Sequence, residues 1–147
     1  MRKPSKVELF GTLVVLVIAF IWSNSLKTGE ESGAQSGAVT QFLLSILDPK
    51  GRIPEESFHH FVRKAAHFLE FALLGAVTSF LFGAIRQQTG RVFYSMPVLL
   101  VLLVAVLDEY IQFFSGRGSA VTDAVLDFCG GLTGLGLLLL AALKKSE

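Results

Sequence analysis

The stretch RKAAHFLEF, residues 63–71, places two cations, a histidine and a glutamate at the start of a strongly apolar segment. Arg63, His67 and Glu70 are spaced four and three residues apart, so in a helix they share one face. An imidazole beside a carboxylate is a candidate acid–base pair, and a guanidinium suits bidentate binding of phosphate. The stretch therefore indicates either acid–base chemistry or recognition of an anionic group.

Two later apolar segments carry polar residues at the same helical spacing. Asp108 and Gln112 share one helix face, and so do Asp123 and Asp127. The second of these stripes continues in a GxxxG pair that begins at Gly130, a spacing typical of close helix packing in membranes. We expect the polar faces to converge and the last helix to pack tightly below them.

The polar residues also share one depth, measured from the cation at the opposite end of each segment. Four pairs define this depth, each 16 or 17 residues apart: Ser23 and Lys6, Glu70 and Arg86, Asp108 and Arg91, and Asp127 and Lys144. At about 1.5 Å per residue, they lie roughly 24 to 26 Å from the inner boundary of a hydrocarbon core about 30 Å thick. The sequence thus predicts one polar layer just below the outer boundary.

The elements that must position this layer are membrane-spanning helices. The chain is 52% hydrophobic with a mean hydropathy of +0.59, and its apolar runs are each near the roughly 20 residues that cross a bilayer as helix. The predicted fold is an all-α membrane protein, a single domain over residues 1–147, with spans at about 7–24, 65–85, 92–114 and 121–143. The first span also resembles a signal peptide, but the bulky Phe20, Ile21 and Trp22 stand where cleavage needs small residues.

Cations are distributed to one side of these spans. If the four spans alternate, one side holds Arg2, Lys3, Lys6, Arg86, Arg91, Lys144 and Lys145. By the positive-inside rule both termini are then cytoplasmic in a multi-pass cell-membrane protein. The lipid bilayer is the expected partner, and a net charge of +1 gives no reason to expect nucleic acid.

The outer connection, about residues 25–61, is the only long one. Its early part, KTGEESGAQSGAVTQ, is rich in Ser and Gly and is predicted to be irregular. Apolar residues from Val39 to Leu47 then recur at helical spacing and predict a short amphipathic helix, which the stretch DPKG ends. Ser32 and Ser36 have no histidine spaced to activate them, so we interpret them as turn formers.

Charge in the polar layer does not balance. Five carboxylates (Glu70, Asp108, Glu109, Asp123 and Asp127) face three fixed cations (Arg63, Lys64 and Arg117). One interpretation is that these groups simply pair between helices, for example Glu70 with Arg63 or Arg117. The excess negative charge indicates in addition either a protonated carboxylate or a bound divalent cation, and no complete ligand motif chooses between them.

Three separated segments resemble the VanZ-like family of bacterial membrane proteins: SNSLKTGEESGAQS, RKAAHFLEFALLG and DEYIQFFSGRGSAVTDAVLDFCGG. The resemblance runs from about Ile21 to Gly134. It departs from the family pattern at Ile111, where many relatives have histidine, and at Ser115, near a common proline. It implies a role in low-level resistance to teicoplanin-type lipoglycopeptides and supplies no reaction, so the sequence leaves open whether the protein is an enzyme and what its oligomeric state is.

The leading hypothesis is a site for an anionic lipid or lipid-linked envelope component in the outer leaflet. The candidate catalytic residues are His67, Glu70, Asp108, Glu109 and Asp127, and the candidate substrate-binding residues are Arg63, Lys64, Gln112, Arg117 and Asp123. The alternative is a non-catalytic membrane scaffold in which the charged layer is only structural. Ion or proton transport is disfavoured because the cytoplasmic halves of the spans lack ionisable residues.

Overall fold

The computed structural model of the chain describes residues 4–118 and 120–144, with the side chains of residues 138–144 left out. Five helices account for most of this part: α1 (Lys6–Ser25), α2 (Gly29–Leu47), α3 (Glu55–Thr89), α4 (Ser95–Phe114) and α5 (Val121–Lys144). No strand occurs within these ranges. The predicted all-α class is confirmed.

Three helices, α1, α3 and α4, are long and apolar enough to cross a membrane. The prediction of four such spans was too high by one for the part of the chain that is described. The fourth predicted span is a single helix, α5, which is not among the three and carries Asp123, Asp127 and several glycines in its first half. The remainder of its predicted span, residues 138–143, has side chains outside the described part.

Helix α2 corrects the prediction of an irregular segment after the first span. Thr28 begins it with a capping box: its hydroxyl accepts from the Glu31 N–H at 3.2 Å, and Glu31 Oε2 accepts from the Thr28 N–H at 3.0 Å. The hydrogen bond from the Thr28 backbone lowers the pKa of the Glu31 carboxyl. The helix therefore begins ten residues before the apolar repeat at Val39, and it ends at Leu47 as predicted.

Helices α3 and α5 pack closely at the two glycines whose spacing predicted tight packing of the last helix. A Cβ atom added to Gly130 would overlap the carbonyl of Phe68, and one added to Gly134 would overlap the carbonyl of Ala72. The glycines let the two backbones approach closely. Asp127 precedes Gly130 by three residues on α5. The close contact between α5 and α3 at Gly130 therefore holds Asp127 beside α3.

A small apolar core lies one helical turn below the polar residues. Ile21, Phe71, Leu74, Val101 and Ala105 are all fully buried and come from α1, α3 and α4. Ile21 is one turn from the end of α1, and Phe71 directly follows Glu70. This core sets the rotation of three helices and so determines which polar side chains face inward above it.

Candidate functional site

The carboxylate of Asp108 is the best-satisfied polar group in the interior. Ser25 Oγ donates to its Oδ1 at 2.6 Å, and Gln112 Nε2 donates to its Oδ2 at 2.7 Å. Asp108, Ser25 and Gln112 are all buried. The Ser25 hydrogen bond connects the end of α1 to the end of α4, and the Gln112 hydrogen bond lies within α4, so Asp108 has a fixed orientation.

Glu70 is held from α1 by an amide, and no described arginine lies within ion-pair distance of it. Asn24 Nδ2 donates to Glu70 Oε1 at 3.0 Å, and Lys27 Nζ donates to Asn24 Oδ1 at 2.9 Å. Asn24 and Ser25 were not predicted from the sequence as part of the polar layer, and Ser23 was placed there instead. Ser23 is exposed, and its hydroxyl donates to the carbonyl of Phe20 in its own helix.

The turn that ends α4 brings Arg117 back into the bundle. Gly116 adopts φ 71°, the Gly116 N–H donates to the Phe113 carbonyl at 3.4 Å, and the Arg117 N–H donates to the Gln112 carbonyl at 3.1 Å. This is a Schellman motif, which needs the left-handed conformation that glycine adopts without strain. Arg117 is 6% exposed, its Nη1 donates to the Asn24 carbonyl at 3.2 Å, and burial lowers the pKa of its guanidinium.

His67 lies between Arg117 and Asp127. Its Nε2 is 3.4 Å from Arg117 Nη2, and its Nδ1 is 3.9 Å from Asp127 Oδ1. Asp127 is only 1% exposed, yet neither of its carboxylate oxygens accepts a hydrogen bond from any group that the structure describes. His67 Nδ1 also lacks a partner in the same part of the chain, so a buried carboxylate and a partly buried imidazole face each other with unsatisfied atoms.

A cavity of about 300 Å³ opens in front of His67 and Asp127, between α3, α4 and α5. Seven of the ten residues predicted for the site line it: Arg63, Lys64, His67, Glu109, Gln112, Asp123 and Asp127. Asp108 and Arg117 are buried behind this wall, and Glu70 faces α1. Most of the predicted residues therefore line one pocket, and the other three lie behind its wall.

Charges on the pocket wall are only partly paired. Lys64 Nζ lies 2.9 Å from Asp123 Oδ1, and Glu109 Oε2 accepts from the Ala120 N–H at 2.9 Å. Arg63 forms no ion pair with any side chain that the structure describes. Pairing between helices therefore accounts for Asp123 but for neither Arg63 nor Asp127.

A serine–histidine contact outside the pocket corrects one sequence interpretation. Ser36 Oγ on α2 is 2.6 Å from His59 Nε2 on α3, although no histidine is near Ser36 along the chain. The same hydroxyl is 2.8 Å from the Ser32 carbonyl, and no described carboxylate hydrogen-bonds to His59. The contact therefore joins α2 to α3 without the third group that would orient the imidazole for catalysis.

A larger cavity, of about 790 Å³, lies at the opposite end of the bundle. Phe10, Phe80, Phe82 and other apolar side chains make most of its wall, with Lys6 and Arg86 among the polar exceptions. Its described lining includes no carboxylate or imidazole. The predicted site residues that line a cavity all line the smaller one.

Three of the helices are able to cross a membrane, and the bundle encloses a cluster of carboxylates, an imidazole and a guanidinium. Together, the fold and this cluster define an integral membrane protein with a polar site on its spans. The chain belongs to the VanZ/LLP1 family, whose family model matches residues 10–142. This match confirms the resemblance carried by the three sequence segments. Comparison with curated proteins and with solved structures gave no match.

Proposed function

We propose that this VanZ-family protein binds the anionic head group of a membrane lipid or lipid-linked envelope component in the pocket between α3, α4 and α5. The observation that carries the proposal is the guanidinium of Arg63, which lines the pocket without an ion-pair partner among the described side chains. Arginine offers parallel N–H donors that match two oxygens of a phosphate. Lys64 adds a second positive charge to the same wall.

The proposal places the pocket in the outer leaflet of a bacterial cell membrane. It takes α5 as a fourth span and puts both chain termini in the cytoplasm, as the distribution of cations favours. The ends of α1 and α4 and the start of α5 meet at the pocket end of the bundle, as alternating spans require. A head group would then enter from the side on which lipid-tailed antibiotics act, which supports a role in low-level resistance to teicoplanin-type lipoglycopeptides.

The pocket also holds groups able to act on a bound head group. When no metal ion is bound, His67 is the proposed proton carrier, because its imidazole borders the cavity and its Nδ1 faces Asp127 across 3.9 Å. Glu109 borders the same space, whereas Asp108 and Glu70 act from behind the wall through their hydrogen bonds. Binding without reaction and binding with proton transfer both require Arg63.

A non-catalytic scaffold is the second candidate, and a specific observation favours it. The Lys64–Asp123 pair joins α3 to α5, and the Ser25–Asp108 hydrogen bond joins α1 to α4. In that role the charged layer clamps the helices, and the protein changes the cell surface through partners. This candidate requires no preference for anionic lipid at the pocket.

The test compares two arginine variants of the purified full chain in detergent micelles. Native mass spectrometry would measure binding of phosphatidylglycerol against phosphatidylcholine. We expect Arg63→Gln to lose about tenfold or more of the affinity for phosphatidylglycerol, because a hydrogen bond between charged groups contributes about 1.5–3 kcal/mol. Arg52→Gln is the matched control: it removes the same charge from the connection before α3, outside the pocket.

The expected result is a loss confined to Arg63→Gln, with phosphatidylcholine binding unchanged and with a parallel loss of lipoglycopeptide resistance in cells. Equal phosphatidylglycerol binding by the wild type and both variants would refute the proposed site. Resistance retained by Arg63→Gln at normal membrane abundance would favour the scaffold.

A further inference from the structure

We infer that His67, Asp108 and Asp127 hold a divalent transition-metal ion, of the Zn²⁺ type, in the inner wall of the pocket. One ligand atom from each of the three side chains lies within 4.8 Å of the other two. The residues come from α3, α4 and α5, so the three helices that form the pocket each supply one ligand. The geometry of the wall would hold the ion whether or not a head group is bound.

The unsatisfied atoms point to a cation. Asp127 is 1% exposed, and both of its oxygens and His67 Nδ1 lack hydrogen-bond donors or acceptors within the described ranges. Buried acceptors without partners are rare in folded proteins, because water has been removed and nothing replaces it. One ion between Nδ1 and the carboxylate satisfies these atoms at once.

Asp108 accepts hydrogen bonds of the kind that usually orient a metal ligand. Each of its oxygens accepts one hydrogen bond, from Ser25 at 2.6 Å and from Gln112 at 2.7 Å. A carboxylate oxygen has a second lone pair, so both remain able to bind a cation. Hydrogen bonds of this kind orient the ligands of metal sites, and the two carboxylates with a neutral imidazole balance a charge of +2.

The ligand set and the spacing select the class of ion. Imidazole with carboxylates suits Zn²⁺ and similar transition metals, whereas Mg²⁺ and Ca²⁺ prefer oxygen alone. Ligand atoms of Zn²⁺ lie about 2.0–2.2 Å from the metal, so two of them are at most about 4.4 Å apart. The three candidate ligand atoms lie within 4.8 Å of one another, which is slightly more than this maximum. Small side-chain rotations bring them within binding distance of one ion. The cavity leaves a fourth position for water or an oxygen of a bound head group.

The contact between Arg117 and His67 must change for this site to fill, because a guanidinium only donates and therefore favours a His67 tautomer with its proton on Nδ1. A metal on His67 Nδ1 leaves the proton on Nε2, which now stands 3.4 Å from Arg117 Nη2. Two donors cannot bond to each other, so Nη2 must turn away when the ion binds. Arg117 stays in place because its Nη1 donates to the Asn24 carbonyl.

The test titrates Zn²⁺ into the full chain after chelator treatment and removal of the chelator, in detergent micelles, by isothermal titration calorimetry. We expect one Zn²⁺ per chain for the wild type. Asp127→Asn should weaken binding by about 100-fold or more, since even the supporting residues of metal sites change affinity by about 10–100-fold. Asp123→Asn, one turn away on α5 and paired with Lys64, is the matched control and should keep Zn²⁺ affinity within about threefold, allowing for the change in pocket charge.

Thermal unfolding supplies the second measurement. Zn²⁺ should raise the melting temperature of the wild type and of Asp123→Asn but leave that of Asp127→Asn unchanged. If Asp127→Asn does not fold, His67→Gln replaces it, and it must lose Zn²⁺ affinity to a similar degree. A wild type that binds no Zn²⁺, or a folded variant that keeps full affinity, would overturn the inference in favour of a protonated Asp127. Arg63→Gln should retain Zn²⁺ while losing phosphatidylglycerol, so the two proposals fail separately.

Discussion

Replacing Ser25 by alanine removes one defined interaction from the polar layer. The Ser25 hydroxyl donates to Asp108 Oδ1 at 2.6 Å, and both residues are 0% exposed. Ser115 also contacts Ser25, but its hydroxyl donates to the backbone carbonyl at 2.8 Å, which alanine keeps. The substitution therefore tests a single side-chain hydrogen bond between α1 and α4.

Hydrogen-bond energies from soluble proteins and from membrane proteins bound the expected loss in the free energy of unfolding. Hydrogen bonds to charged groups in soluble proteins contribute about 1.5–3 kcal/mol, whereas interhelical hydrogen bonds in membrane proteins average about 0.6 and reach about 1.7 kcal/mol. The Ser25–Asp108 bond is short, fully buried and accepted by a carboxylate, so it belongs near the top of the membrane scale. We expect Ser25→Ala to lower the free energy of unfolding by about 1.5 kcal/mol.

The assay is reversible unfolding with sodium dodecyl sulfate in mixed micelles, in a double-mutant cycle with Asp108→Ala. The coupling energy should equal most of the single-mutant loss, because Ser25 has no acceptor once Asp108 is gone. Ser23→Ala is the matched control, since Ser23 is exposed and bonds only to its own helix; it should change stability by less than about 0.5 kcal/mol. Equal losses for Ser25→Ala and Ser23→Ala would refute the reasoning.

Two further predictions concern membrane orientation and helix packing. In a Cys129→Ser background, a cysteine at Ser32 should react with an impermeant thiol reagent on intact cells and one at Gln88 should not; the reverse pattern would put the pocket in the inner leaflet. Gly134→Ala should lower the free energy of unfolding by about 1–3 kcal/mol through overpacking against α3. Gly136→Ala, with nothing within 4 Å of the added Cβ, should not destabilise the protein, and equal losses would show that α5 does not pack on α3 through Gly134.

Spacing in the sequence predicted most of the pocket, because the rise per residue sets depth along a helix and the period of 3.6 residues sets the face that a side chain occupies. His67 is four residues from Arg63, and Asp127 is four from Asp123, so each pair shares a face whatever the exact packing. Depth counting alone was weaker, since it gives height along a helix and not rotation about it. Ser23 and Ser25 differ by about 3 Å in height but by roughly 200° in direction, and only Ser25 faces inward.

The error at α2 has a different cause. Its first half is rich in Ser and Gly, residues that favour turns in isolation, and that composition predicted an irregular segment. The sequence TGEE at residues 28–31 nevertheless contains a capping box, and packing on α3 supplies stability that local propensity lacks. The Ser36–His59 contact depends on this packing, so a sequence search confined to nearby positions could not find it.

Charge counting predicted an excess of negative charge, and hydrogen bonding in the structure distinguishes one carboxylate of the layer from the other four. Four of the five carboxylates in the layer accept a hydrogen bond: Glu70 from Asn24, Asp108 from Ser25 and Gln112, Glu109 from the Ala120 N–H, and Asp123 from Lys64. The fifth, Asp127, accepts none among the described residues and faces His67 at the pocket. A purely structural clamp explains the four satisfied carboxylates. It gives no reason to bury the fifth, because a buried carboxyl group without a hydrogen-bond partner destabilises the fold whether it is charged or protonated. Asp127 is therefore the residue at which the proposed site and the structural clamp differ, and its substitution distinguishes the two.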